Sequence, residues 1–181
     1  LDADNSTYEF EKNCRKDKRI TNCEIISVNS QEELKSLKLL PTDYIFTAGY
    51  SFKLPNNIIS KSNKGSINIH PSLLPRWKGP DPIRNMILNN DDLTGVSAHE
   101  MNNEFDSGKL IFQTAIANDR LTCFSEYQKI LGRIGGQICS HIMNLNKSIS
   151  DLLPLNTKYL ESYAPKKSLK RAGKATDELL N

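Results

Sequence analysis

The chain has 181 residues, 38% of them apolar and 25% charged, with a net charge of +3. That length carries one domain with a real core, and the balance is ordinary for a globular protein. The mild basicity suits an anionic substrate without calling for nucleic acid, and no apolar run is long enough to span a bilayer, so no membrane partner is expected. Cys14, Cys23, Cys123 and Cys139 form no CxxC pair and read as reduced thiols of a cytoplasmic protein, with no metal site.

Residues 1–18 show no strand or helix with a clear apolar face and read as an irregular arm. Residues 23–28, CEIISV, read as a short buried strand. Ser30 then caps a helix over 31–40, with Glu33 placed as in a capping box and Pro41 as its stop. Residues 43–50, DYIFTAGY, form an apolar strand ending at Gly49. Leu54 and Pro55 restart a helical turn through Ile59.

Residues 65–75, GSINIHPSLLP, open as a strand and end as a loop at Pro71 and Pro75. Asn68 and His70 lie two apart, so on a strand they share one face. Asp81 and Pro82 read as an N-cap followed by proline at the first helical position, opening a helix to about Asn89. Strands follow over 95–101 and 109–117, with a loop between them. The longest helix runs from Thr122 to about Asn146, with Tyr127, Ile130, Leu131, Ile134, Ile138, Ile142 and Leu145 on its apolar stripe. Gly132, Gly135 and Gly136 would weaken it, which calls for a close packing partner or a kink. Beyond Leu152 the pattern fades, and residues 162–174 are basic and loop-like. Strands alternating with helices indicate an α/β fold with a mainly parallel, doubly wound sheet.

Spacing alone leaves the chemistry open. Asn68 and His70 could be a donor and an imidazole at a sheet end, where open α/β sheets keep their sites, or a capped strand end. Asp106-Ser107-Gly108 is also an ordinary turn signature. Arg76 and Lys78 could be solvated or could meet a phosphate or carboxylate.

Taken in order, Asn68 to Pro75, Gly79 to Ile83, Thr94 to His99 and Phe105 to Gly108 resemble the 10-formyltetrahydrofolate-dependent formyltransferases. The likeness runs from about Asp43 to Gln113. It implies a Rossmann-like catalytic domain over 1–150 and an extension or linker over 151–181. It also implies a catalytic trio of Asn68, His70 and Asp106. In that role Asn68 donates to the forming oxyanion, a protonated His70 assists the leaving folate nitrogen, and Asp106 orients and accepts a proton. The segment Ala48 to Ile59 is similar to the family's pterin-lining stretch. This puts Tyr50, Phe52, Leu54 and Ile59 in the cofactor pocket, with Asn102, Glu104 and Phe105 on the closing loop. Leu54 and Ile59 fit plain core equally well. Ser72, Arg76, Lys78, Pro80 and Asp81 are the candidate amine-side residues, with Ser97 near them. His99 and His141 read as structural.

The family begins with a strand, a glycine-containing turn and a helix ahead of the position Leu1 occupies, so the chain is expected to start part-way into the fold. Nothing after Asn146 resembles the β-barrel of the tRNA-type enzymes. Asp81-Pro82 is similar to the sugar type and Pro80, Ile83 and residues 163–166 to the tRNA type; with no barrel and only a small charge excess, the expected acceptor is a nucleotide-linked amino sugar. Methionyl-tRNA comes next, then glycinamide ribonucleotide, or water in a hydrolase. A segment past Asn146 could pair two chains into a homodimer.

Overall fold

The computed structural model describes residues 5–17, 22–50, 52–102, 104–156, 162 and 164. Helices α1 (Asn5–Lys16), α2 (Gln31–Ser36), α3 (Asn56–Ile59), α4 (Pro82–Leu88) and α5 (Phe124–Leu145) accompany four strands. The strands are β1 (Thr42–Ala48), β2 (Ser62–His70), β3 (Leu93–Glu100) and β4 (Leu110–Ala117), in the spatial order β1-β2-β3-β4. The α/β, Rossmann-like reading stands, with a difference in the sheet. Only β1 and β2 pair in parallel, and β2–β3 and β3–β4 are antiparallel. Residues 71–92 turn at the His70 end of β2 and re-enter the sheet from that end. The loop after β3 is too short for the crossover that a parallel return requires.

The opening is not an irregular arm. It is α1, and its apolar stripe is narrow, with Phe10 and Cys14 one turn apart. The partner on α5 makes so narrow a stripe sufficient. A Cβ at Gly136 would lie 2.7 Å from the Phe10 carbonyl oxygen and 2.7 Å from Asn13 Cβ. One at Gly135 would lie 2.9 Å from Ile69 Cγ2 on β2. The glycines therefore mark a close helix crossing, the first of the two outcomes their spacing called for.

Residues 23–28 do not form a strand. They pair with no strand among the described residues, and Ile26 is 39% exposed. An apolar run becomes a strand only where a ladder partner exists. The helix at 31–40 stops at Ser36. Its cap is as expected, with Glu33 N–H donating to Ser30 Oγ at 3.0 Å and Asn29 N–H donating to the Glu33 carboxylate at 2.8 Å. Only Leu34 is buried on it, and Leu40 is 83% exposed, so nothing rewards further turns before Pro41.

The core lies between the sheet and α5, where Ile67, Ile69, Val96 and Ala98 meet Leu131, Ile138, Cys139 and Ile142. Burying each large side chain is worth about 1.5–3 kcal/mol. All four cysteines are unpaired. Past α5, a short 3-10 turn (Ile149–Asp151) leads to Leu155, whose N–H donates to the Leu110 carbonyl of β4 at 2.9 Å. This segment returns to the chain's own sheet edge. The basic stretch after residue 164 lies outside the described residues.

Candidate active site

Two cross-strand rows build the site. Strand register places Thr47, Asn68 and His99 side by side on β1, β2 and β3, and His70, Ser97 and Gln113 on β2, β3 and β4. Each row uses one face of the pleat, so Asn68 and His70 point the same way, as their spacing requires.

Asn68 holds a single amide orientation. Thr47 Oγ1 donates to Asn68 Oδ1 at 2.8 Å. Asn68 Nδ2 then faces Asp106 Oδ1 at 3.1 Å and His99 Nε2 at 3.1 Å. A flipped amide would turn its oxygen onto the Asp106 carboxylate. His99 Nδ1 donates to the Glu100 carbonyl at 2.9 Å, which leaves Nε2 as an acceptor for Asn68. His99 is therefore not merely structural. It lines the same cavity, and its Nε2 lies 3.3 Å from Asp106 Oδ1. His141 sits exposed on α5, with its ring 5.3 Å from that of Phe112.

Asp106 comes from the loop after β3. Gly108 lets that loop close, since a Cβ there would lie 1.7 Å from the Glu100 carbonyl oxygen. Asp106 itself has φ +50°, the left-handed region that a non-glycine residue rarely occupies. Gly79 N–H donates to its Oδ2 at 2.7 Å, and His70 Nδ1 lies 3.5 Å from its Oδ1. Burial would raise this carboxyl. Its contacts with His99 and His70 and the hydrogen bond from the Gly79 amide outweigh burial and hold it at about 2, so Asp106 is ionised at neutral pH.

His70 is 4% exposed, and burial pushes its pKa below the ordinary 6.5 despite the opposing pull of Asp106 and the Trp77 carbonyl. That lowering favours the neutral ring at rest. Its Nε2 meets the Trp77 carbonyl oxygen at 2.8 Å. An imidazolium formed here would have an acceptor on each side.

These groups open on a cavity of about 450 Å³, within the range of small-molecule sites. Tyr50, Phe52, Leu54 and Ile59 line it, and Asn102, Glu104 and Phe105 contribute from the loop that carries Asp106. Pro80 and Asp81 also line it. Asp81 stands at the N-cap of α4 without capping it, because its carboxylate turns to Arg84 Nε at 3.2 Å. The other amine-side candidates, Ser72, Arg76 and Lys78, are not among the residues lining the cavity. Ser72 is buried with Oγ on the Arg76 carbonyl at 2.7 Å. Arg76 is held two-pronged by Asp91, which also accepts from Trp77 Nε1 at 2.6 Å. Ser97 is fully buried, bonded to Ser72, Leu74 and Gln113. These groups brace the loop after β2.

Sequence reading missed Phe10, Phe124 and Gln128, which reach the cavity from helices. Thr47 had a signal, as the one polar side chain between Ile45 and Ala48 in an apolar strand. Among the described residues no group of His, Cys, Asp or Glu is arranged to hold a metal ion, and no helix is long and apolar enough to cross a membrane.

Residues 9–132 match the family model described as formyl transferase. The methionyl-tRNA formyltransferase of Ehrlichia ruminantium is 34% identical over 129 residues, covering 71% of this chain and 42% of that protein. That of Thermotoga maritima is 30% identical over 139 residues, covering 77% and 44%. The chain thus spans less than half the length of these relatives. Among solved structures, the methionyl-tRNA formyltransferase from Clostridium thermocellum superposes with a TM-score of 0.66 at 18% identity, covering 91% of this chain and 69% of that one. The formyltransferase PseJ from Anoxybacillus kamchatkensis, in complex with UDP-4,6-dideoxy-4-formamido-L-AltNAc and tetrahydrofolate, gives 0.56 at 21% identity, covering 78% and 70%. At these identities the two structures speak for the fold. The family model and the sequence relatives speak for descent, and on their strength the chain belongs to the formyl transferase family.

Proposed function

We propose that this site transfers a formyl group from 10-formyltetrahydrofolate to a primary amine. One observation carries the reading: Asn68, His70 and Asp106 converge at a cavity walled by the residues of the pterin-lining stretch. Its volume and its aromatic and apolar walls, Leu54, Ile59 and Phe105 among them, suit a flat ring. Bound there, the folate supplies a formyl group already attached to a good leaving nitrogen.

The chain's own residues supply the rest. Asn68 directs an amide hydrogen at the formyl oxygen, where negative charge builds as the amine nitrogen bonds to the formyl carbon. In the resting site both Asn68 hydrogens are engaged by His99 and Asp106, so substrate must draw one away. Neutral His70 takes the proton that the amine loses. Asp106 and the Trp77 carbonyl stabilise the resulting imidazolium, which returns the proton to the folate nitrogen as the C–N bond breaks. The products are a formamide and tetrahydrofolate, with no proton left over.

For the acceptor we favour the methionyl amine of a charged tRNA over an amino sugar. Sequence relatives at 30–36% identity support this, since they carry the name methionyl-tRNA formyltransferase. The amino-sugar reading keeps one observation in its favour, the sugar N-formyltransferases among the structural neighbours. A cytoplasmic location accompanies either reading, because both amines and the folate are met there. The domain assignment stays part of the proposal, with catalysis in residues 1–150 and 151–181 as an extension.

The test is tetrahydrofolate release from 10-formyltetrahydrofolate with methionyl-tRNA, a nucleotide-linked amino sugar, glycinamide ribonucleotide or no amine. Release that depends on methionyl-tRNA is expected. Release only with the amino sugar would reverse the acceptor. Release without amine would indicate a hydrolase, and folate binding without release under any condition would indicate a folate sensor.

A further inference from the structure

The backbone of residues 76–79 runs between two neighbours. On one side lie Ser162 and Ala164. Lys78 N–H donates to the Ser162 carbonyl at 2.8 Å, and Ala164 N–H donates to the Lys78 carbonyl at 2.6 Å. Ser162 N–H reaches the Pro75 carbonyl at 3.2 Å, and Ser162 Oγ accepts from Trp77 N–H at 2.9 Å. On the other side lies the candidate site. The Trp77 carbonyl meets His70 Nε2 at 2.8 Å, and Gly79 N–H meets Asp106 Oδ2 at 2.7 Å. In the Trp77–Lys78 and Lys78–Gly79 peptides the carbonyl and the N–H thus serve opposite sides, as in a strand with two ladder edges.

This short run is conformationally demanding. Trp77 has φ +58° and Gly79 φ +102°, and a tryptophan stays in the left-handed region only where its surroundings over-determine it. Ala164 is fully buried, so the segment is docked and not merely adjacent. No other described part of the chain beyond Leu155 touches the loops that carry the site through backbone hydrogen bonds.

We propose that Ser162 and Ala164 form a positioning segment for the reaction, holding residues 77–79 so that their opposite edge fixes His70 and Asp106. This rests on the reading that those two residues carry formyl transfer. Removal of the segment's bonds frees the Trp77 and Gly79 peptide groups to tilt. The acceptor for His70 and the donor for Asp106 are then lost together, although neither residue touches the segment.

Three variants of the full chain test this, with kcat and KM for formyl transfer, the folate Kd, the melting temperature and the NMR titration of His70 as readouts. Ser162→Ala deletes the acceptor for Trp77 N–H and is expected to lower kcat about fivefold, the worth of one net hydrogen bond, at unchanged folate Kd. Ser162→Thr keeps the hydroxyl and should restore kcat. Ala164→Pro removes the N–H that holds Lys78 and should lower kcat tenfold or more, by roughly the cost of an unmet buried acceptor. In both damaging variants the His70 titration should move up toward 6.5 as the loop loosens and water enters. Wild-type kcat and an unmoved His70 titration in both would overturn the proposal. If Ala164→Pro fails to fold, Ser162→Ala alone decides. If the wild-type protein transfers no formyl group, the functional reading fails, and the His70 titration still decides whether the segment positions the ring.

Discussion

The two halves of the site are built differently. Asn68, His70, Thr47 and His99 stand on adjacent strands, where register fixes their spacing. Asp106, Trp77 and Gly79 stand on loops, and two of these three residues are non-glycines with positive φ. The strand half is rigid because its backbone is committed to ladders. The loop half holds its shape only through the bonds that converge on it, from Gly79 to Asp106, from His70 to Trp77 and from Ser162 to Trp77. Strain is thus stored on the loop side of the site, and order on the strand side that presents the Asn68 amide.

Perturbing each half separately sharpens that contrast. The largest effects should come from His70→Ala and Asp106→Ala, each lowering kcat for formyl transfer by about 100-fold or more in steady-state assays, with the fold retained. Gly136→Val attacks the support behind the strand half. It would drive a side chain into the Phe10 carbonyl and Asn13, costing about 1–3 kcal/mol in a urea melt through displacement of α1. Gly136→Ala should cost less, and a neutral outcome for both would mean the helix crossing is looser than described. Thr47→Val removes the hydroxyl that orients Asn68 and should lower kcat about fivefold at unchanged folate Kd, with Thr47→Ser recovering it.

The smallest effect is in pH. His70 has a lowered pKa, so below 6.5 the unfolded chain binds a proton that the folded chain refuses, and stability falls as pH drops through that range. Asp106 has a pKa depressed from 3.8 to about 2, so its contribution is full above 3.8 and is lost as pH falls toward 2. The melting temperature should therefore decline in two steps on acidification. His70→Phe should erase the upper step, and a single step in the wild type would contradict the assignment.

The same division explains what was legible in sequence. Asn68 and His70 could be read as one face because a strand's period is fixed, and the four motifs in order gave the family. His99 and Thr47 could not be seen as Asn68's neighbours, because pairing register between strands leaves no mark in either strand alone. Helix α1 was hidden because its two-residue stripe matters only against Gly135 and Gly136, more than a hundred residues away. The run 23–28 had strand character, but a ladder needs a partner that local composition cannot supply. Ser72 and Arg76 sat in the right motif and face inward to Arg76's own carbonyl and to Asp91, a choice made by tertiary packing.

The most direct test of the central claim is a single-turnover measurement of formyl transfer in the wild type and Asn68→Ala, with tetrahydrofolate affinity determined on the same samples. The account predicts folate binding within about threefold of wild type and transfer slowed by about 100-fold or more, because one donor to the developing oxygen charge is gone. Transfer at the wild-type rate in Asn68→Ala with folate bound would contradict it.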